Sequence, residues 1–171
     1  MLLRHPLVAP SRGRSGAIVR FVPADAVTSS FREWGRANGF ARKGTTLYRD
    51  QPETLAVVNL QGSQWGGRYY VNVALWLKAV AEPSQPRENE CHIRTRLTQL
   101  VPDPGEVDRV LTESSDLDED ERGRRFRRIL DEQLTPLLAA TGSLAELRAN
   151  RPGFLDQFLL GAEALPLLNA E

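Results

Sequence analysis

Covalent and acid–base chemistry need reactive groups within reach of one another, and the 171-residue sequence offers few. Its histidines are His5 and His92, and its single cysteine, Cys91, adjoins the second. Neighbours on a strand point to opposite faces, so Cys91 and His92 make no nucleophile–base dyad there. The run Gly62-Ser63-Gln64-Trp65-Gly66-Gly67 lacks the glycine spacing of a serine elbow or a phosphate cradle and has no helix after it. It reads as a hairpin loop with an exposed Trp65. Residues 116–121 are rich in acids without the glycine and terminal glutamate of a calcium loop, and are read as solvated. One cysteine excludes an internal disulfide and a cysteine-rich metal site. What remains is a polar set: Arg42, Lys43, Tyr48, Asn59, Gln61, Ser63, Asn72, Arg94 and Arg96. Amides, hydroxyls and cations recognise more readily than they catalyse, and no general base stands among them. No catalytic residue, metal or cofactor is expected, and the balance leans away from an enzyme.

Those residues are positioned by the stretch Asn38 to Lys78. Strands are expected over Thr45 to Asp50, Thr54 to Gln61 and Arg68 to Lys78, broken by Gln51-Pro52-Glu53 and by Gly62 to Gly67, which is a β-meander. In the third strand Tyr69, Val71, Val73, Leu75 and Leu77 share one face and Tyr70, Asn72, Ala74 and Trp76 the other. In the second, Ala56, Val58 and Leu60 alternate with Val57, Asn59 and Gln61. Pairing through the glycine loop places Asn59, Gln61 and Asn72 on one face, and a slip of one residue reverses this. Their plainer role is to satisfy backbone groups at strand ends. A fourth strand is expected over Cys91 to Leu100, with Cys91, Ile93, Thr95, Leu97 and Gln99 on one side and His92, Arg94, Arg96 and Thr98 on the other. Paired arginines such as Arg94 and Arg96 either hold a carboxylate or phosphate or meet acidic neighbours on a solvated strand.

Helices cover the sheet. Val27, Phe31, Trp34 and Asn38 recur at helical spacing, and Asn38-Gly39-Phe40 supplies a C-terminal cap, with Arg42-Lys43-Gly44 as the turn into the first strand. Glu106 to Thr112 is a short helix with Val107, Val110 and Leu111 inward. From Asp118 to Leu134 arginines and acids alternate at the i,i+4 spacing of a solvated helix that keeps Phe126, Ile129, Leu130 and Leu134 as a core stripe. Pro136 kinks or restarts it. Ser143 to Glu146 is a capping box, and Phe154 to Leu168 is read as one further helix.

Several of these segments resemble a bacterial family designated domain of unknown function 4304. They are Gly39-Phe40-Ala41-Arg42-Lys43-Gly44-Thr45-Thr46-Leu47-Tyr48-Arg49, Val58-Asn59-Leu60-Gln61-Gly62-Ser63, Tyr70-Val71-Asn72-Val73 and Arg94-Thr95-Arg96-Leu97. The resemblance covers about residues 25 to 150. Where members carry a tryptophan pair after the arginine strand, this sequence has Glu106-Val107-Asp108-Arg109. The resemblance implies no mechanism.

The fold expected is a single α+β domain, residues 21–171, in which an antiparallel meander of four or more strands is covered by an N-terminal helix and C-terminal helices. Residues 1–20 hold arginines and no acid, and are read as a disordered leader or an over-called start. Basic and acidic residues balance at 22 each, which gives no electrostatic reason to expect nucleic acid, and no apolar run reaches membrane-span length. A cytoplasmic protein is expected. By elimination its function is a non-enzymatic protein-interaction or neutralising, immunity-like module with another protein as partner; the alternative is a small-ligand-binding or hydrolytic protein using the polar sheet face. A cleft over Gln61, Asn72, Arg94 and Arg96 discriminates for the alternative, and a flat apolar patch elsewhere for the partner protein.

Overall fold

A computed structural model describes residues 25–151 and 155–170. The expected leader lies outside these residues. The architecture is α+β: six strands form one antiparallel sheet in sequence order, β1-β2-β3-β4-β5-β6, with helices laid on one face.

Helix α1, Ala26–Ala37, starts where the Asp25 carboxylate accepts the Thr28 N–H at 3.0 Å and ends where Gly39 takes a φ of 74°. Phe40 folds back as expected: its N–H donates to the Gly35 carbonyl, and its ring packs 5.2 Å from that of Trp34. Val27, Phe31 and Trp34 are buried against the sheet.

The meander begins earlier than its alternation suggested. Arg42-Lys43 is not a turn but part of strand β1, Ala41–Lys43, and Gly44-Thr45 makes the turn into β2, Thr46–Asp50. Gly44 has φ 61°, the positive value that a two-residue hairpin needs at its first central position. Strands β3, Thr54–Gly62, and β4, Tyr69–Leu77, pair along their full lengths, with Asn59 opposite Asn72. The fourth expected strand is shorter than its pattern: β5 is Ile93–Arg96, and Leu97–Leu100 turns into helix α2, which buries Leu97. With the strand starting at Ile93, alternation does not extend to Cys91. Cys91 instead joins Leu55, Val57 and Ala74 in a small cluster apart from the main core.

Helix α3, Pro104–Leu111, buries Val107, Val110 and Leu111. Helix α4, Glu119–Ile129, is capped by Asp118 and passes through a π-helical turn, Leu130–Leu134, into α5, Thr135–Ala139, with Pro136 in the first turn of α5 directly after the π-helical turn. The charged helix is only partly solvated. Arg122 is 1% exposed, donates from Nε to the Val110 carbonyl at 3.2 Å and pairs with Glu119. Arg124, Arg125 and Arg127 pair with Glu121, Glu106 and Asp131 nearer the surface. The capping box at Ser143 opens α6, Leu144–Ala149. Beyond it the chain is not one helix: a 3₁₀ turn, Leu155–Gln157, leads into the two-residue strand β6, Leu159–Leu160, and then α7, Ala164–Asn169. Leu155, Phe158, Ala164 and Leu168 close the core at that end.

Candidate functional site

Cross-strand partners share a face, so the register decides which polar side chains meet. Thr46, Asn59, Asn72 and Arg96 form one row across β2 to β5, and Tyr48, Val57, Ala74, Arg94 and Leu159 the next. Gln61 stands opposite Tyr70 on the same side. This is the face turned away from α1. Its apolar end, Leu55, Val57, Ala74 and Trp76, lies beside the buried Cys91. The other end is polar and opens into a cleft of about 630 Å³.

Four residues of the polar set meet in that cleft: Gln61, Asn72, Arg94 and Arg96. Glu88 and Asn89, from the 3₁₀ turn before β5, form one wall, and Asp156 to Leu159 the other, with Gln99 of α2 nearby. The two arginines are presented in different ways. Arg94 Nη1 donates to the Asn89 carbonyl at 2.8 Å, which ties it to the wall. The Arg96 guanidinium lies 4.9 Å from the Tyr70 ring centroid, and Arg68, itself paired with Asp108, lies 5.1 Å from the same ring. These are cation–π distances. Among the described residues neither Arg94 nor Arg96 has an acidic partner within ion-pair distance, although nine other pairs form. Beside them the Asn72 amide, 8% exposed, donates to Gln61 Oε1 at 2.9 Å. The two amides therefore bond each other and leave the Gln61 amide group and the Asn72 carbonyl facing the cleft chemistry.

The remainder of the set is dispersed. Arg42 and Lys43 lie on β1, at the opposite edge of the sheet. Tyr48 reaches the connection before β5, its hydroxyl donating to the Pro86 carbonyl at 3.2 Å. Asn59 Nδ2 donates to Thr46 Oγ1 at 2.9 Å, and Ser63 Oγ accepts the Trp65 N–H at 3.2 Å within the hairpin loop, where Trp65 is 86% exposed as expected. The walls were not foreseen. The length and polarity of the connection before Cys91 carried a usable signal for Glu88 and Asn89, while Asp156 to Leu159 were hidden inside a segment read as helical.

Cys91 and His92 are buried for structural ends. Burial, with Glu88 and Glu90 adding to it, pushes the Cys91 thiol up to about 12, so it stays protonated. His92 Nδ1 accepts the Leu77 N–H at 2.9 Å, its ring packs 4.3 Å from Trp76, and burial holds its pKa below the usual value against the opposing pull of Glu163. Among the described residues no three histidine, cysteine or acidic side chains converge on a metal-sized site. No helix there is long and apolar enough to cross a membrane.

A family model described as Domain of unknown function (DUF4304) matches residues 33–140. The match takes in α1 from Glu33, the first five strands and the helices through α5. No curated protein and no solved structure matches the chain.

Proposed function

The chain belongs to the DUF4304 family, whose description assigns no activity, and we propose from its site that it binds a small ligand bearing a carboxylate or phosphate in the cleft between β4–β5 and residues 156–159. The observation that carries this reading is the pair Arg94 and Arg96, set side by side in a cleft without an ion-pair partner among the described residues. An arginine held by a backbone carbonyl or an aromatic ring keeps further N–H groups for an anion, and two of them two residues apart on a strand present a fork to it. The cleft volume lies in the range of small-molecule sites. Gln61, Asn72, Asn89 and Gln157 add amide donors and acceptors that select the uncharged part of the ligand.

Recognition is the reading that the guanidiniums and amides support best; the described lining residues include no histidine or cysteine, and the carboxylates of Glu88 and Asp156 on the walls are the groups that would serve as general base in the hydrolytic alternative. The cleft is the reason we put the ligand-binding alternative ahead of the partner-protein reading, which was reached by elimination and analogy. Calorimetric titration with citrate, inorganic phosphate and neutral glycerol tests the proposal, the first two separating carboxylate from phosphate. Saturable binding of at least one anion is expected, weakened about 10- to 100-fold in Arg94→Ala and Arg96→Ala, as loss of a charged hydrogen bond worth about 1.5–3 kcal/mol requires. Failure of both anions to bind, or binding indifferent to both substitutions, would reject it.

A further inference from the structure

A second cluster of arginines without an acidic partner among the described residues lies at the far edge of the sheet, in a groove between α1 and β1 of about 420 Å³ floored by Phe40 and Leu47, where Arg42 Nη1 donates to the Gly44 carbonyl at 3.0 Å. Arg32 and Arg36 stand one turn apart on the exposed side of α1. Arg42 comes from β1: it pairs with Leu47, so its side chain stands on the helix-covered face. On α4 the arginines at 122, 124, 125 and 127 have acidic partners, while the exposed Arg128 has none among the described residues. Among the described residues Arg32, Arg36 and Arg42 have none within ion-pair distance, and the single acid lining the groove is Glu33.

The backbone adds a second, independent feature. Among the described residues β1 pairs with β2 alone and forms the outer edge of the sheet. The Leu60 N–H donates to the Thr45 carbonyl at 3.0 Å, so odd-numbered residues here direct their backbone groups toward β3, while Thr46 and Tyr48 direct theirs toward β1. Their partners Lys43 and Ala41 are satisfied by β2, and alternation turns the N–H and C=O of Arg42 outward from the sheet. An edge whose donor and acceptor have no partner among the described residues, beside three cations, matches an extended acidic peptide.

We propose that β1 takes an acidic segment of a partner protein as an added strand, its backbone bonding Arg42 and its alternate carboxylates meeting Arg32, Arg36 and Arg42. A nucleic acid would satisfy the cations but has no backbone donor for the Arg42 carbonyl at strand spacing. The proposal does not rest on the Arg94–Arg96 cleft, which lies across the sheet.

Fluorescence anisotropy tests it, using a labelled synthetic peptide of alternating glutamate and valine, its lysine–valine counterpart, an acidic peptide N-methylated on the bonding edge and a single-stranded DNA oligonucleotide. The acidic peptide should bind saturably, the lysine peptide should not, and N-methylation should weaken binding at least tenfold. R32E/R36E/R42E should weaken it at least tenfold, and Arg94→Ala should leave it unchanged. Should the triple variant fail to fold, the ¹⁵N amide shift of Arg42 in the wild-type chain on peptide addition supplies the same readout. Absence of binding, equal binding of the N-methylated peptide, an unmoved Arg42 amide, or DNA bound at these arginines more tightly than the peptide would overturn the proposal.

Discussion

Asn72 and Gln61 show how one hydrogen bond has unequal consequences at its two ends. Asn72 is buried and donates to Gln61, whose own side chain is exposed. Gln61→Ala removes the acceptor and strands a buried amide donor, which should cost about 1–3 kcal/mol. Asn72→Ala strands nothing, because the Gln61 carbonyl turns to water, and should cost less. Urea midpoints of the two variants check this; equal midpoints would show that the amide pair is not a buried bond. His92 yields a pH dependence of definite sign. Its folded-state pKa is depressed by burial below the ordinary 6.5, so on acidification the unfolded chain takes up this proton first. Stability is then complete above about 6.5 and declines as pH falls through it, by at most about 1.4 kcal/mol per pH unit. The loss follows from the geometry, since a proton on Nδ1 removes the acceptor of the Leu77 N–H. Comparing unfolding of the wild type and His92→Gln at pH 7.5, 6.0 and 5.0 should show a steeper decline in the wild type.

At the scale of the element, what the sequence displays is what repeats over a whole strand or helix. β3 and β4 were legible because nine residues each alternate and because glycine and proline punctuate them. α1 was legible because its cap residues and its apolar spacing agree. β1 was not, being three exposed residues with no apolar face to alternate. The closing segment was misread because its leucines and phenylalanines fit a helical period, while what forms it is long-range: the Gly161 N–H donates to the His92 carbonyl at 2.7 Å and Leu160 pairs with Ile93. Gly35 is a smaller case. A Cβ there would come within 2.5 Å of Leu47 Cδ1, so the glycine lets α1 approach β2, a need that nothing local announces. The site divides along the same line: strand period and the register of β3 to β5 put Gln61, Asn72, Arg94 and Arg96 on one face, whereas their walls are supplied by connections whose path no period encodes.

Taken whole, the molecule joins a family-matched body to a wall that lies beyond the match. Residues 33–140 hold the sheet face with its two arginines, and Asp156 to Leu159, which complete the cleft, fall outside them. The end of the chain therefore serves both the core and the site, and two deletions separate these duties. Ending the chain at Asn150 exposes the positions that Leu155, Phe158 and Leu168 cover, each worth about 1.5–3 kcal/mol of burial. Their sum, roughly 5–9 kcal/mol as an upper value, is comparable to the whole stability of an ordinary domain, so this variant should show no cooperative unfolding transition. Ending it at Glu163 removes α7 alone, with Leu168 and the bond from Arg148 Nε to the Leu167 carbonyl at 2.9 Å. The strand β6 and its bond to His92 stay in place. That shorter deletion should lower the melting temperature by several degrees while citrate or phosphate binding at Arg94 and Arg96 persists, read by calorimetry on the same sample. A variant that melts as the full chain does would show that α7 contributes nothing to the core, and one that stays folded but loses anion binding would place part of the site on α7 instead of on the wall before it.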